Sequence, residues 1–399
     1  MTRFDSQYAR FVHAYPYPRQ LRSYKTTALR DAVVFRGSKK LIDFSSNDYL
    51  GLSKHPLLIA RSNEFSNQYG AGSSSSRMVR GNLTIYHSLE ETLAKALGKE
   101  TALILGSGFQ TNATLLEALL NPTVLGQEPL IFCDKACHAS IYMGLAASSQ
   151  PVHRFRHNDL DHLQRLLEHY AASKRPKFII TESIYSMEGD QTNLLRLAEL
   201  SRQHQALWYL DDAHAIGIYG ADGFGKATEQ SHDIDVIMGT FSKALGSFGS
   251  YVACSAACRE YLIHRCKGLI YATALPPSTL GAISAALELL PSLKEEREKV
   301  LGYAQRVRHS MDEQGLSYGR SSTHIVPWII GSAEQTRHVA QQLEEEGILG
   351  APIQAPSVPA RQNRIRFCLS ALHTEEDVAL LCAAIKKVIR SVDREVLFV

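Results

Sequence analysis

At 399 residues and 45% hydrophobic content, the chain is long enough for two domains, or for one large domain with an appendage, around a sizeable core. Its 43 basic and 40 acidic residues leave a net charge of +3, too balanced for a nucleic-acid surface. No run of about 18 apolar residues occurs and Met1 to Asp5 form no apolar leader core, so a soluble, cytoplasmic protein without a membrane partner is expected.

In chain order, residues 1–50 mix basic and aromatic side chains and end on a short strand at 41–44, which predicts an N-terminal arm. Residues 87–97 have helical apolar spacing. Short apolar runs at 102–105, 130–133, 178–181, 207–210, 236–238 and 250–253 read as strands. Helical segments at 111–120, 159–170 and 194–204 separate several of them. Continuous apolar strands alternating with helices predict an α/β fold, a mostly parallel sheet covered on both faces, over residues 51–285. From 286 to 399 the character changes. A long charged helix is expected at 289–314, then a smaller α+β unit with strands at 326–330 and 365–369. A final helix at 374–390 is entered through a capping box at Thr374-Glu375-Glu376-Asp377.

The seven cysteines are scattered and mostly within apolar segments, as reduced thiols are. Cys133, Cys137 and His138 fit no zinc spacing, so no metal is expected.

In sheets of this kind ligands gather at the carboxyl ends of the strands. Three groups stand there. Gly106-Ser107-Gly108-Phe109 opens a helix, and a glycine-rich turn at a helix N-terminus offers N–H groups to a phosphate. Asp211-Asp212-Ala213-His214 ends an apolar strand, where a buried carboxylate needs a positive partner, either a metal or a protonated ring nitrogen. Thr240-Phe241-Ser242-Lys243 follows another strand, and a partly desolvated lysine can hold a carbonyl as a Schiff base. Gly220-Ala221-Asp222-Gly223-Phe224-Gly225-Lys226-Ala227 approaches a P-loop but has Ala227 where a magnesium-binding hydroxyl belongs. A phosphate turn, a carboxylate and a lysine together are what pyridoxal 5'-phosphate requires.

With these residues the chain resembles the α-oxoamine synthases, fold-type I pyridoxal phosphate transferases of the aspartate aminotransferase-like architecture. The matching segments are residues 44–52, 73–81, 138–140, 157–159, 182–190, 211–214, 240–243 and 271–273. The resemblance implies Lys243 as the Schiff-base lysine, Asp211 on the pyridine nitrogen and His138 stacked on the ring. It implies His214 and Ser186 at the ring hydroxyl, and Ser107, Gly108, Phe109 and Thr240 at the phosphate. Thr273 would reach the phosphate of a neighbouring subunit, which implies a homodimer with shared sites. Asn47 and Arg366 would face the substrates, with Arg366 holding the amino-acid carboxylate; Arg364 lies on the same face of the strand and stays an alternative. The serine-rich segment at 72–77 and residues 269–277 look most like the branch that joins L-alanine to a pimeloyl thioester in biotin biosynthesis. That implies coenzyme A or an acyl carrier protein as the thiol carrier. Other branches pair glycine with acetyl-CoA or serine with a palmitoyl thioester. Arg22 stands in for the consecutive arginines that meet the acyl-chain carboxylate, and His214-Ala215-Ile216-Gly217 departs from the usual glycine-threonine-glycine run. A non-catalytic subunit of this fold would lack the lysine that this chain keeps.

Overall fold

The computed structural model describes residues 4–14, 20–27 and 29–391; the first three residues, part of the segment read for a leader, lie outside them. Its strands are β1 (Lys25–Thr26), β2 (Val33–Arg36), β3 (Lys39–Asp43), β4 (Thr101–Leu105), β5 (Leu130–Asp134), β6 (Val152–Phe155), β7 (Lys177–Glu182), β8 (Ala206–Asp211), β9 (Val236–Thr240), β10 (Ser250–Cys254), β11 (Ile325–Gly331), β12 (Ile348–Leu349), β13 (Ala351–Ile353) and β14 (Asn363–Cys368). Seven of them form the central sheet in the order β4-β10-β9-β8-β7-β5-β6. Only β10 runs against its neighbours; the rest are parallel.

Alternate residues along each central strand enter two separate cores. Ile104, Phe132, Ile179, Trp208, Leu210 and Ile237 face one side. Leu103, Ile131, Ile180, Tyr209, Val236 and Met238 face the other. Both faces are apolar because helices cover both, which is why these strands read as unbroken hydrophobic runs. Strand β6, Val-His-Arg-Phe, has no such run. It sits at the sheet edge, where only Phe155 is fully buried and Arg154 is exposed, so no unbroken apolar run marks it.

The C-terminal unit carries the antiparallel sheet β11-β14-β13. The long charged helix expected from 289 is divided. A helix Pro277–Leu289 ends in a 3-10 turn at Leu290–Ser292, and the charged helix starts afresh as Lys294–Asp312. Pro291 accounts for the break, since it lacks the N–H that a continuous helix needs. The capping box forms as expected, with Asp377 N–H donating to Thr374 Oγ1 at 3.1 Å and Thr374 N–H to Asp377 Oδ2 at 2.9 Å. Strands β1, β2 and β3, in the stretch read as part of an arm, form a sheet in which β3 pairs in parallel with β12, so they are tied to the C-terminal unit. Among the described residues no helix is long and apolar enough to cross a membrane.

Candidate active site

The parallel strands β5, β7, β8 and β9 end at one edge of the sheet in Asp134, Glu182, Asp211 and Thr240. Strand β4 ends there too, because Ser250 is in register with both Leu105 and Thr240. Lys243 follows β9 in a turn closed by Gly246, whose φ of +62° and close approach to Ser53 N leave no room for a side chain. Lys243 is half-buried and has no ion pair among the described residues. Burial lowers its pKa to about 8, although Asp211 and Glu182 pull it upward. A neutral amine is therefore accessible near physiological pH.

Asp211 is held by two donors. Ala213 N–H meets Oδ1 at 3.0 Å and Asn112 Nδ2 meets Oδ2 at 2.8 Å. Asn112 also donates to Ser140 Oγ at 2.9 Å, and Ser140 Oγ lies 2.7 Å from His138 Nδ1. One amide thus sets the carboxylate and the histidine relative to each other. Sequence reading missed Asn112, although it lies one turn into the helix Gly108–Leu119, on the face that Ser107 and Gly108 open. His138 is the N-cap of the helix Ala139–Ser148, and its ring is exposed. Its backbone N–H donates to Glu182 Oε1, whose carboxyl is pushed well up by burial and by neighbouring Asp211.

Asp212 points away from this edge. Its Oδ2 accepts from Ala227 N–H at 3.2 Å, and a Cβ on Gly225 would come within 2.0 Å of that oxygen. The P-loop-like segment is a structural turn wrapped on Asp212, which explains its glycines without a nucleotide.

A pocket for a phosphate is built from two elements. Ser107 caps the helix Gly108–Leu119 by accepting from Gln110 N–H at 3.3 Å, leaving the first-turn N–H groups pointed outward. A Cβ on Gly108 would lie 2.6 Å from Thr240 Cγ2, so glycine alone allows helix and β9 to meet. Thr240 Oγ1 is buried and has no hydrogen-bond partner. A buried hydroxyl with no partner costs about 1–3 kcal/mol, and a phosphate oxygen would satisfy it. Anionic phosphate at this end, an aromatic nitrogen at Asp211 and an aldehyde at Lys243 fit the donors present.

Strand β14 brings two arginines to the same region with opposite fates. Arg364 is fully buried and saturated: it pairs with Glu188 at 2.5 Å and donates to Met187 O and Gln362 O. Arg366 reaches Asn47 Oδ1 at 3.1 Å and Ser186 O at 3.4 Å, while its buried Nε has no partner. Asn47 Oδ1 also meets Tyr49 Oη at 3.1 Å, and Tyr49 Oη lies 2.8 Å from His214 Nδ1. His214 is buried, and burial with nearby Lys243 and Arg366 lowers its pKa well below the usual value, so it is neutral.

Three expected site residues lie elsewhere or open outward on this chain. Arg22 is spent on Glu344, which it meets at 2.9 Å beside Arg36. Thr273 is exposed and forms a backbone bridge with Ser76. Phe109 presents its side chain to solvent, half-exposed, so only its backbone can face the pocket.

The sequence pattern of the aminotransferase class I and II family matches residues 39–385. An 8-amino-7-oxononanoate synthase of Gluconacetobacter diazotrophicus is 45% identical over 360 residues, 90% of each chain. The crystal structure of 8-amino-7-oxononanoate synthase from Francisella tularensis superimposes with a TM-score of 0.75 at 26% identity, over 89% of this chain and 98% of that one. Sphingomonas wittichii serine palmitoyltransferase shares the fold more closely, with a TM-score of 0.88 over 98% of both chains, but at 24% identity that likeness extends to the fold alone.

Proposed function

Because the chain belongs to the aminotransferase class I and II family, with a relative at 45% identity that is named 8-amino-7-oxononanoate synthase, we propose that it condenses L-alanine with a pimeloyl thioester. The products are 8-amino-7-oxononanoate, carbon dioxide and the free thiol carrier, a step of biotin biosynthesis. The chain is a pyridoxal phosphate acyltransferase of fold-type I. The observation that carries the residue assignment is Lys243, a half-buried amine without an ion pair, set in the field of Asp211 at the carboxyl edge of the sheet.

Pyridoxal phosphate, when bound, supplies an aldehyde that an amine can bond and a protonated ring that draws the electron pair left at an amino acid's α-carbon. Lys243 would hold it at the aldehyde, Asp211 at the ring nitrogen, and Ser107, Gly108, Phe109 N–H and Thr240 at the phosphate. Asp211, its carboxylate fixed by Ala213 N–H and Asn112 Nδ2, would keep the ring nitrogen protonated. His138, exposed at the rim, would cover the ring face. Once the amine of L-alanine has taken its place at the aldehyde, the freed Lys243 amine would accept the α-proton of L-alanine, a role suited to an amine with a pKa of about 8. Arg366, its Nε unpaired, receives the substrate carboxylate beside Asn47, and Ser186 and His214 face the ring hydroxyl.

The chain works as a homodimer. An exposed apolar patch of Met78, Val79, Phe109, Phe248 and Tyr271 supports this reading. Its parts are neighbours, since Ser76 bridges Thr273, Gly249 packs on Leu275, and Ser250 is in register with Leu105. That patch flanks the site edge and would bring Thr273 of one protomer toward the other's phosphate pocket. Pimelate's distal carboxylate needs a cation other than Arg22 in its present pairing, or a release of Arg22 from Glu344.

The test is product identification by mass spectrometry with L-alanine and pimeloyl-CoA or a pimeloylated acyl carrier protein, in parallel with glycine plus acetyl-CoA and L-serine plus palmitoyl-CoA. 8-Amino-7-oxononanoate is expected from one or both pimeloyl arms. Turnover confined to either other pair would overturn the substrate assignment.

A further inference from the structure

Arg366, Asn47, Tyr49 and His214 form one hydrogen-bonded line, and the proton inventory of its members fixes its direction. A guanidinium donates and never accepts. Arg366 Nη2 lies 3.1 Å from the Asn47 Oδ1 position, so that atom is the carbonyl oxygen and not the amide nitrogen. The Cys368 thiol, 3.8 Å away, points a weak donor at the same oxygen. Tyr49 Oη is also 3.1 Å from it. Two oxygens so placed need a proton between them, and only the phenol has one. Tyr49 is fully buried, and burial raises its pKa well above the ordinary value, so that proton stays. Having donated to Asn47, Tyr49 Oη can only accept from His214 Nδ1, 2.8 Å away. The His214 proton then sits on Nδ1. Because the ring is neutral, Nε2 is left as a bare lone pair.

We propose that Tyr49 is a positioning residue that fixes the Nδ1–H tautomer of His214 through the Arg366–Asn47–Tyr49 line. The opposite orientation would set lone pairs of Tyr49 and Asn47 against each other in a buried site. The phenol cannot swing away, since the fully buried His324 ring stands edge-on to it with centroids 4.1 Å apart. The consequence rests on the reading of His214 as the residue that faces the cofactor's ring hydroxyl: a bare Nε2 would accept a hydrogen bond from that hydroxyl and cannot donate one. The line also joins the carboxylate-binding arginine to that histidine, so the two ends of the site share one proton arrangement.

Nitrogen-15 NMR of histidine-labelled protein, freed of cofactor, reads the tautomer directly. His214 is assigned by the signal missing from His214→Asn. In the wild type, Nδ1 is expected at a pyrrole-type shift and Nε2 at a pyridine-type shift. Tyr49→Phe removes one oxygen, and the two His214 nitrogens should move toward averaged shifts. Affinity for pyridoxal phosphate alone should fall about 3- to 10-fold, the worth of one net hydrogen bond. A pyridine-type Nδ1 in the wild type overturns the proposal. So does an unchanged His214 pattern in a Tyr49→Phe protein whose other histidine signals show it folded. If that variant does not fold, the wild-type spectrum decides alone. Failure of the cofactor reading looks different: the expected tautomer would be found, but added pyridoxal phosphate would not bind.

Discussion

At the scale of single residues, burial decides which chemically able groups are available. Lys243 is the clearest case. Its pKa of about 8 lies below that of a solvated lysine because burial penalises the ammonium. The neutral amine is the nucleophile, so covalent capture of pyridoxal phosphate by the cofactor-free protein should quicken with rising pH and level off above about pH 8. Stopped-flow absorbance checks this; a flat profile from pH 6 to 10 on the order of the wild-type rate would contradict it. Borohydride trapping should place the label on Lys243, and Lys243→Ala should lose turnover by several decades. Asp211 and Asp212 are adjacent in sequence yet face different neighbours. Asp211→Asn should abolish α-proton exchange of L-alanine while keeping cofactor binding, because an amide cannot hold a ring nitrogen protonated. Asp212 is different: burial lifts its pKa to about 7, above its unfolded value of 3.8, so the folded state binds the extra proton. Its contribution therefore erodes stability as pH rises from about 4 to 7, and Asp212→Asn should flatten that fall in thermal melts while proton exchange persists. The two arginines of β14 separate in the same way. Arg366→Lys should weaken L-alanine binding by about 1–3 kcal/mol in a spectral titration, since a point charge cannot replace a fork. Arg364→Lys should instead lower the melting temperature, because it leaves buried acceptors unmet.

At the scale of elements, the site depends on how closely a helix and a strand approach. The helix Gly108–Leu119 meets the end of β9 through the missing side chain of Gly108. Gly108→Ala places a methyl 2.6 Å from Thr240 Cγ2, so the helix N-terminus must withdraw from the pocket. Affinity for pyridoxal phosphate should drop by about tenfold or more, the loss of roughly 1.4 kcal/mol, with inorganic phosphate competition weakened in parallel. Fluorescence titration measures both, and unchanged affinities would mean that the phosphate lies elsewhere. Most of these elements could be read from the chain. The strands that end in Asp211 and Thr240 announce themselves as apolar runs, because both their faces are covered. The helix Pro56–Tyr69 escaped the reading. It buries only Leu58 and Phe65 on its own account and packs on the helix Pro277–Leu289, where Gly281 lets the Arg61 backbone come close.

At the scale of the whole molecule, the exposed apolar residues around Val79 and Tyr271 are where the proposed second copy would sit. Sedimentation should find a dimer. Val79→Asp should shift it toward monomer and lower turnover while leaving each protomer folded, because Val79 is 82% exposed and contributes little to its own core. A monomeric variant with full activity would show that each chain completes its own site.

The sequence by itself determined the sheet, its carboxyl edge and the main chemical groups on that edge, because a two-sided parallel sheet demands apolar strands and the polar residues that follow them must then lie together. The resemblance of its motifs to a known family implied that Lys243, Asp211, His138 and Arg366 share one site. What only the tertiary structure decided was which of two like residues is free. Periodicity places Arg364 and Arg366 on one face and cannot see that Glu188 and nearby carbonyls have saturated one of them. Adjacency cannot tell Asp211 from Asp212 until the Gly225 turn closes on the latter. Asn112 gained its place between Asp211 and Ser140, and Arg22 its pairing with Glu344, through contacts 99 and 322 residues apart. Hydrogen bonds at such separations depend on where folded backbones meet, and local sequence pattern holds no record of that.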